Sequence, residues 1–247
     1  MGIVISRTLS FVERIAAYLL GKGWGSATVE KEFASAISLL ERERADLCID
    51  IGGNKGTYAE QIVKRFSECK VVVFEPAASN VKTLKKKFAD YPCVTIEQAA
   101  VSNEDGNATL YSDQDGSGLA SLTKRRLDHF GIAFEYTESI QTLRFEAYWK
   151  TKLDSQHIDV CKIDIEGHEL DALAGFGEAI KHVSVIQFEF GGCNIDTRTF
   201  FQDFWYFFQE NEFDLYRISP LGLIHMPRYR ELDEFFSTTN YLAKRRQ

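Results

Sequence analysis

Three carboxylates and an imidazole crowd one short segment, Cys161-Lys162-Ile163-Asp164-Ile165-Glu166-Gly167-His168-Glu169. Carboxylates held this close oppose one another's ionisation, so at least one of them should titrate above the ordinary range. The segment reads as a strand running into the first turn of a helix, a place that favours anions. Asp164, Glu166 and His168 are therefore candidates for removing a proton from a substrate. Histidine is the best match to neutral pH. Glu169 reads equally well as an ordinary acid in a helix's first turn.

A second constellation lies upstream, at Leu47-Cys48-Ile49-Asp50-Ile51-Gly52-Gly53-Asn54-Lys55-Gly56. An apolar strand ends in an acid, breaks into a glycine-rich turn and restarts as a helix at Thr57. Glycine lets backbone approach a ligand closely and adopt positive φ. The dinucleotide fingerprint fails, because Asn54 and Thr57 stand where its second and third glycines belong. The Walker pattern fails for want of Gly-Lys-Ser/Thr. What remains, Asp50-x-Gly52-x-Asn54-x-Gly56, suits the zwitterionic tail of an amino acid; the alternative is a plain tight turn. Glu75 closes the next apolar run, Lys70–Phe74, where an acid can accept from both hydroxyls of a ribose. The stretch Ala99-Ala100-Val101-Ser102 closes a third, beside which an adenine can sit. Together they describe a pocket for a nucleoside.

The elements that must position these groups alternate. Up to Arg44 the chain reads as helical, with Val29–Arg44 as a second helix carrying Phe33, Ile37 and Leu40. Strands are expected at Leu47–Ile51, Val71–Phe74, Val94–Glu97, Ala108–Tyr111, Val160–Ile165 and Val183–Phe190, most of them followed by helices. Phe213–Ile218 and Thr239–Leu242 form a closing antiparallel pair. Gly131–Ile140 has weak periodicity and reads as an irregular insertion. Such alternation implies a mainly parallel sheet covered on both faces, with ligands outside the strand carboxyl ends. Asp50, Glu75, Asp164 and Glu189 all fall at those ends.

The chain has 247 residues and a net charge of −7. One α/β domain is expected over 46–247, behind a helical extension over 1–45. The acidic balance argues against nucleic acid as a partner, since that affinity rests on neutralising phosphates. The five cysteines form no C-x-x-C pair, which fits a reducing, cytoplasmic setting and argues against a zinc site or disulfide framework. Residues 1–20 read as an amphipathic helix interrupted by Arg7, Glu13 and Arg14, so neither a signal peptide nor stable membrane insertion is expected. Met1-Gly2 with Ser6 matches the myristoylation pattern formally, but an ordinary N-terminus is the preferred reading. The remaining histidines show no ligand spacing. A divalent ion could bridge the carboxylates, yet no complete oxygen-ligand set is legible, so no metal is assigned. Lys124-Arg125-Arg126 reads as a solvated face near the active side. The aromatic run Phe200–Phe208 reads as core or as a homodimer contact.

Asp50-Ile-Gly-Gly-Asn-Lys-Gly, Val73-Phe-Glu-Pro, Ala100-Val-Ser, Lys162-Ile-Asp-Ile-Glu-Gly-His-Glu-Leu and the late Asn240-Tyr-Leu-Ala together resemble the FkbM family of S-adenosylmethionine-dependent methyltransferases. The resemblance runs from about Asp46 to Ala243. It implies a Rossmann-like class I methyltransferase fold, a mainly parallel seven-stranded sheet with an antiparallel last strand. It also implies methyl transfer from S-adenosylmethionine to a hydroxyl of a sugar, glycan or secondary metabolite. Gly52, Gly53, Asn54 and Gly56 would then shape the methionine site, and Asp50 would help hold that end. Glu75 would hold the ribose, Ala100 and Val101 the adenine, and Asp164 would flank the donor. Where the family carries Thr-Leu-Asp-Asp, this chain has Arg144-Phe145-Glu146-Ala147. A nicotinamide oxidoreductase is disfavoured by the failed fingerprint. A donor-binding partner subunit without catalysis is the remaining alternative.

Overall fold

The computed structural model describes residues 2–24 and 28–247. Met1, and with it the full myristoylation pattern, lies outside them, as does Gly25 of the expected first loop. Helix α1 (Gly2–Leu19) and helix α2 (Val29–Ser38) precede the alternating part. The latter ends at Ser38, short of the expected Arg44. Then follow β1 (Leu47–Ile51), α3 (Thr57–Arg65), β2 (Lys70–Phe74), α4 (Ala78–Lys87), β3 (Val94–Glu97), β4 (Ala100–Ser102), β5 (Gly106–Ser112), β6 (Tyr136–Arg144), α5 (Phe145–Lys152) and β7 (Ile158–Ile163). The chain closes with α6 (Glu169–Gly175), β8 (Val183–Phe190), α7 (Cys193–Thr197), α8 (Phe201–Glu210), β9 (Phe213–Ser219), β10 (Gly222–His225) and β11 (Thr239–Arg245).

The main sheet has the order β10-β9-β11-β8-β7-β1-β2-β3. Strands β3, β2, β1, β7 and β8 pair in parallel, and β11 runs antiparallel to both β8 and β9. This is the expected parallel sheet with an antiparallel last strand, extended by one edge hairpin strand, β10. Two expectations need correction. The strand at Ala108–Tyr111 is part of β5 and belongs to a separate three-stranded sheet, β4-β6-β5. The segment expected to be irregular up to Ile140 includes β6, which pairs with β5 along seven residues. Its alternation was weak because neither face is fully packed: of its residues only Ile140 is buried.

Strand β1 is buried throughout, as the middle of a two-faced sheet requires. Its side chains divide by the period of two. Leu47, Ile49 and Ile51 enter the core under α5, α6 and α8, and Cys48 enters the core under α2 and α3. Asp50 shares the second face with Lys162, its register partner on β7, and with Gln187, the next one across on β8. The aromatic helix is core on its inner face: Phe201, Phe204 and Phe208 are buried. Phe188 stacks on Phe204 at 5.0 Å and on Tyr241 at 5.3 Å.

Candidate active site

The tip of β1 ties its neighbours together. The amides of Gly52 and Gly53 donate to Phe74 O at 2.9 and 3.0 Å, and the amide of Asp164 donates to Ile51 O at 3.1 Å. The carboxyl ends of β1, β2 and β7 therefore open onto one cleft. Its floor is Ile51, Gly52, Phe74 and Glu75, its side wall Ala99, Ala100 and Val101. Asp164, Ile165, Glu166 and His168 form the far corner. The small sheet supplies Leu110. The loop leaving it overhangs the cleft with Ser117, Gly118, Ala120, Ser121 and Leu122.

The glycines divide by task. Gly52 has φ +82° and faces the cleft, and a Cβ there would lie 1.9 Å from Asp164 O. Gly53 and Gly56 do not line the cleft. A Cβ on Gly53 would lie 2.1 Å from Val73, and one on Gly56 2.7 Å from Leu84 and Phe88. They let the turn pack against β2 and α4, which sets the start of α3.

Glu75 is buried and heavily committed. It accepts from the amide of Asn54 at 2.7 Å, the amide of Ala77 at 2.9 Å and the Asn80 side-chain amide at 3.4 Å. Burial pushes its carboxyl up, and these bonds from Ala77, Asn54 and Asn80 pull it back. A carboxylate has about four lone-pair sites, so one direction remains for a ligand. Glu75 thus stabilises the Gly52–Asn54 turn as well as lining the cleft.

Asp50 is fully buried and is not among the lining residues. Neither carboxylate oxygen has a hydrogen-bond partner, and the Lys162 ammonium lies 3.8 Å from Oδ1. Burial raises its titration, opposed by Lys162. Lys162 stands between Asp50 and Asp164, 3.1 Å from the latter. Burial alone would lower the lysine, but Asp164 and Asp50 raise it above its ordinary value. Tyr58 donates to Gln187 Oε1 at 2.9 Å, and Gln187 donates to Glu32 Oε2 of α2 at 2.8 Å. Asn54 also carries a buried Oδ1 with no partner.

The carboxylate corner is crowded as its sequence implied. Glu166, at φ +56°, is pushed up to about 8 by burial and by Asp164, with Arg125 pulling against them. Glu169 is fully buried and pushed up to about 7, chiefly by burial. It accepts from the amides of Ile165 at 3.0 Å and Gly167 at 3.1 Å, so it braces the turn. Glu189 is raised by burial and by Asp164, Glu166 and Glu169. Glu166, Glu189 and Cys193 bring donor atoms within 4.8 Å of one another, but Arg125 occupies Glu166.

The overhanging loop grips this corner at several points. Ser121 Oγ donates to Glu166 O at 2.8 Å, and Arg125 pairs with Glu166 at 2.5 Å. Thr123 Oγ1 meets His168 Nε2 at 2.9 Å. Ser117, Ser121 and Thr123 were not legible as site residues, because a polar loop carries no periodic signal. The Lys124–Arg126 triplet, expected as a solvated face, needs correction at Arg125, whose side chain is 9% exposed and turned onto Glu166 because the loop folds over that corner. Glu146, at the position of the family's Thr-Leu-Asp-Asp acid, pairs with Arg144 at 2.9 Å and Lys150 at 2.8 Å. All five thiols are free. No described helix is long and apolar enough to cross a membrane.

A family model described as Methyltransferase FkbM domain matches residues 50–215. The chain is 24% identical over 163 residues to the 2-O-methyltransferase NoeI of Sinorhizobium fredii, covering 62% of this chain and 66% of that one. It is 20% identical over 144 residues to Methyltransferase 1 of Beauveria bassiana, covering 53% of this chain and 58% of that one. Each match spans just under two thirds of the relative's length, or less. An rRNA methylase structure from Streptococcus thermophilus superposes with a TM-score of 0.47 at 8% identity, covering 88% of this chain and 95% of that one.

Proposed function

Because the chain belongs to the FkbM methyltransferase domain family, with S-adenosylmethionine as methyl donor, we propose that it methylates a hydroxyl of a sugar, glycan or other small molecule. The observation that carries this reading is that Gly52, Glu75, Ala100, Val101, Asp164, Glu166 and His168 all face one cleft. The cleft fits the donor chemically. Its wall of Ala99, Ala100, Val101 and Leu110 suits an adenine, and Glu75 keeps an acceptor direction for a ribose hydroxyl. The buried, unbonded oxygens of Asp50, at the end of β1, and of Asn54, within the glycine turn, suit the ammonium end, Asp50 through water because it does not line the cleft.

The donor supplies an activated methyl group on a sulfonium that leaves as a neutral thioether. The protein's tasks are to bring the accepting oxygen to about 3–3.5 Å from that carbon and to take its proton. We assign proton removal to His168, whose Nε2 faces the overhanging loop. Asp164 and Glu166 flank the donor and orient the acceptor. The 2-O-methyltransferase name of one relative supports oxygen as the accepting atom. A net charge of −7 and an acid-lined corner weigh against a phosphodiester acceptor.

The test is transfer of labelled methyl from S-adenosylmethionine to a panel of neutral methyl glycosides. Label appearing in a methyl ether supports the reading. Donor binding without transfer to any neutral glycoside, but with transfer to RNA, overturns the acceptor class. In His168→Gln, turnover should fall at least a hundredfold while S-adenosylhomocysteine still binds. Full activity in that variant removes His168 from the mechanism.

A further inference from the structure

His168 is held from both sides of its ring. Asp171, one turn along α6, lies 2.7 Å from Nδ1, and Thr123 of the overhanging loop lies 2.9 Å from Nε2. An ionised carboxylate only accepts hydrogen bonds, so the nitrogen facing Asp171 must carry a proton. In the neutral imidazole, Nε2 then presents its lone pair, and the Thr123 hydroxyl donates to it. Asp171 is half exposed and bonds to nothing else in the site, whereas His168 lines the cleft.

We propose that Asp171 is a positioning residue that fixes His168 as the Nδ1–H tautomer, and that the Thr123 hydroxyl occupies the place of the acceptor hydroxyl until substrate displaces it. This rests on the methyl-transfer reading. The contact of Thr123 with Nε2 is the contact an accepting alcohol must make to lose its proton. In the transfer step the acceptor's O–H bond breaks and its proton goes to Nε2. The oxygen–methyl bond forms as the sulfur–methyl bond breaks, leaving S-adenosylhomocysteine and an imidazolium facing Asp171. Other charged groups of this corner are Asp164, Glu166 with its partner Arg125, and Asp196, which lies 3.6 Å from Arg125. None of these acids is hydrogen-bonded to the imidazole, and the Thr123 hydroxyl can either donate or accept, so Asp171 sets the tautomer. Loop movement follows as a requirement: Thr123 must withdraw before an acceptor can reach the histidine.

The experiment is long-range proton–nitrogen NMR on the full chain with labelled histidine, at a pH where the imidazole is neutral. His168→Gln identifies the signals by their loss. The expected wild-type spectrum has a pyrrole-like Nδ1 and a pyridine-like Nε2 for this residue. In Asp171→Ala the Nδ1–H population should fall several-fold, with an unchanged melting temperature because the side chain is half exposed. Thr123→Val should leave the tautomer as it was. A wild-type Nε2–H signal, or an Asp171→Ala spectrum identical to wild type, overturns the proposal. Stabilisation by S-adenosylhomocysteine is measured alongside. Its absence in the wild type would sink the donor reading and leave the tautomer result standing.

Discussion

Glu75 illustrates how one carboxylate serves both fold and ligand. In Glu75→Gln, one of the two amides at Asn54 and Ala77 must face an N–H donor instead of an oxygen. That leaves a buried donor unmet, costing about 1–3 kcal/mol. Both the melting temperature and the affinity for S-adenosylhomocysteine should fall, the latter about tenfold. A residue that only held a ribose would lose affinity and keep its stability, so calorimetry beside a melt separates the two roles. Glu169 carries a different signature. Its folded value of about 7 lies above the ordinary 4.5, so the native state holds a proton that the unfolded chain has released. Glu166, at about 8, behaves likewise. Stability must then fall as pH rises from about 4.5 through 7 and 8, on the order of 3 kcal/mol for Glu169. Glu169→Gln is neutral at every pH, so its melting temperature should decline less steeply across that window. An identical slope in both proteins would show that Glu169 titrates normally.

At the level of elements, the site depends on how closely three strand ends converge. Gly52 permits it: its positive φ and the adjacent Asp164 carbonyl leave no space for a side chain. Gly52→Ala should cost more than about 4 kcal/mol, the range of a buried clash combined with left-handed strain. The expected outcome is a chain that expresses poorly or binds no donor. A stable, donor-binding variant would mean that β1 and β7 can move apart cheaply. The β5–β6 sheet acts at the same scale. It sends out the loop over residues 113–135, which roofs the cleft and carries Arg125 to Glu166. A turn-rich loop is invisible to periodicity, and only its attachment to a paired hairpin gives it a fixed place.

Over the whole molecule, the two N-terminal helices differ in kind. Helix α1 exposes Leu9, Phe11, Val12, Ile15 and Tyr18. Helix α2 buries Phe33 and Ala36 in the core and hydrogen-bonds Gln187 through Glu32. A protein shortened to residues 16–247 should melt within about a degree of the full chain. One shortened to 46–247 should lose about 3–5 kcal/mol or more, the cost of emptying a phenylalanine's place in a core. Equal stability of both would show that residues 1–45 form one dispensable extension, the division proposed from the sequence. The aromatic face of α8 is turned inward, which leaves Tyr206 on the helix and Phe200 just before it as exposed rings.

Local order along the chain was enough to determine the alternating elements, the glycine turn after Asp50 and the carboxylate-rich corner, because each depends on neighbours within a few residues. Hydrophobic period, glycine placement and clustered charge are all short-range signals. Other features depended on contacts between residues far apart in sequence. These include the burial of Asp50 beside Lys162, the claim of backbone amides on Glu75, the reach of Glu32 to Gln187 and the meeting of Thr123 with His168. Each of these is a polar group whose partner is chosen by the packing of whole elements. Burial makes an unmet hydrogen bond costly, so the tertiary fold, and not the local residue type, decided which acids brace the scaffold and which face the cleft.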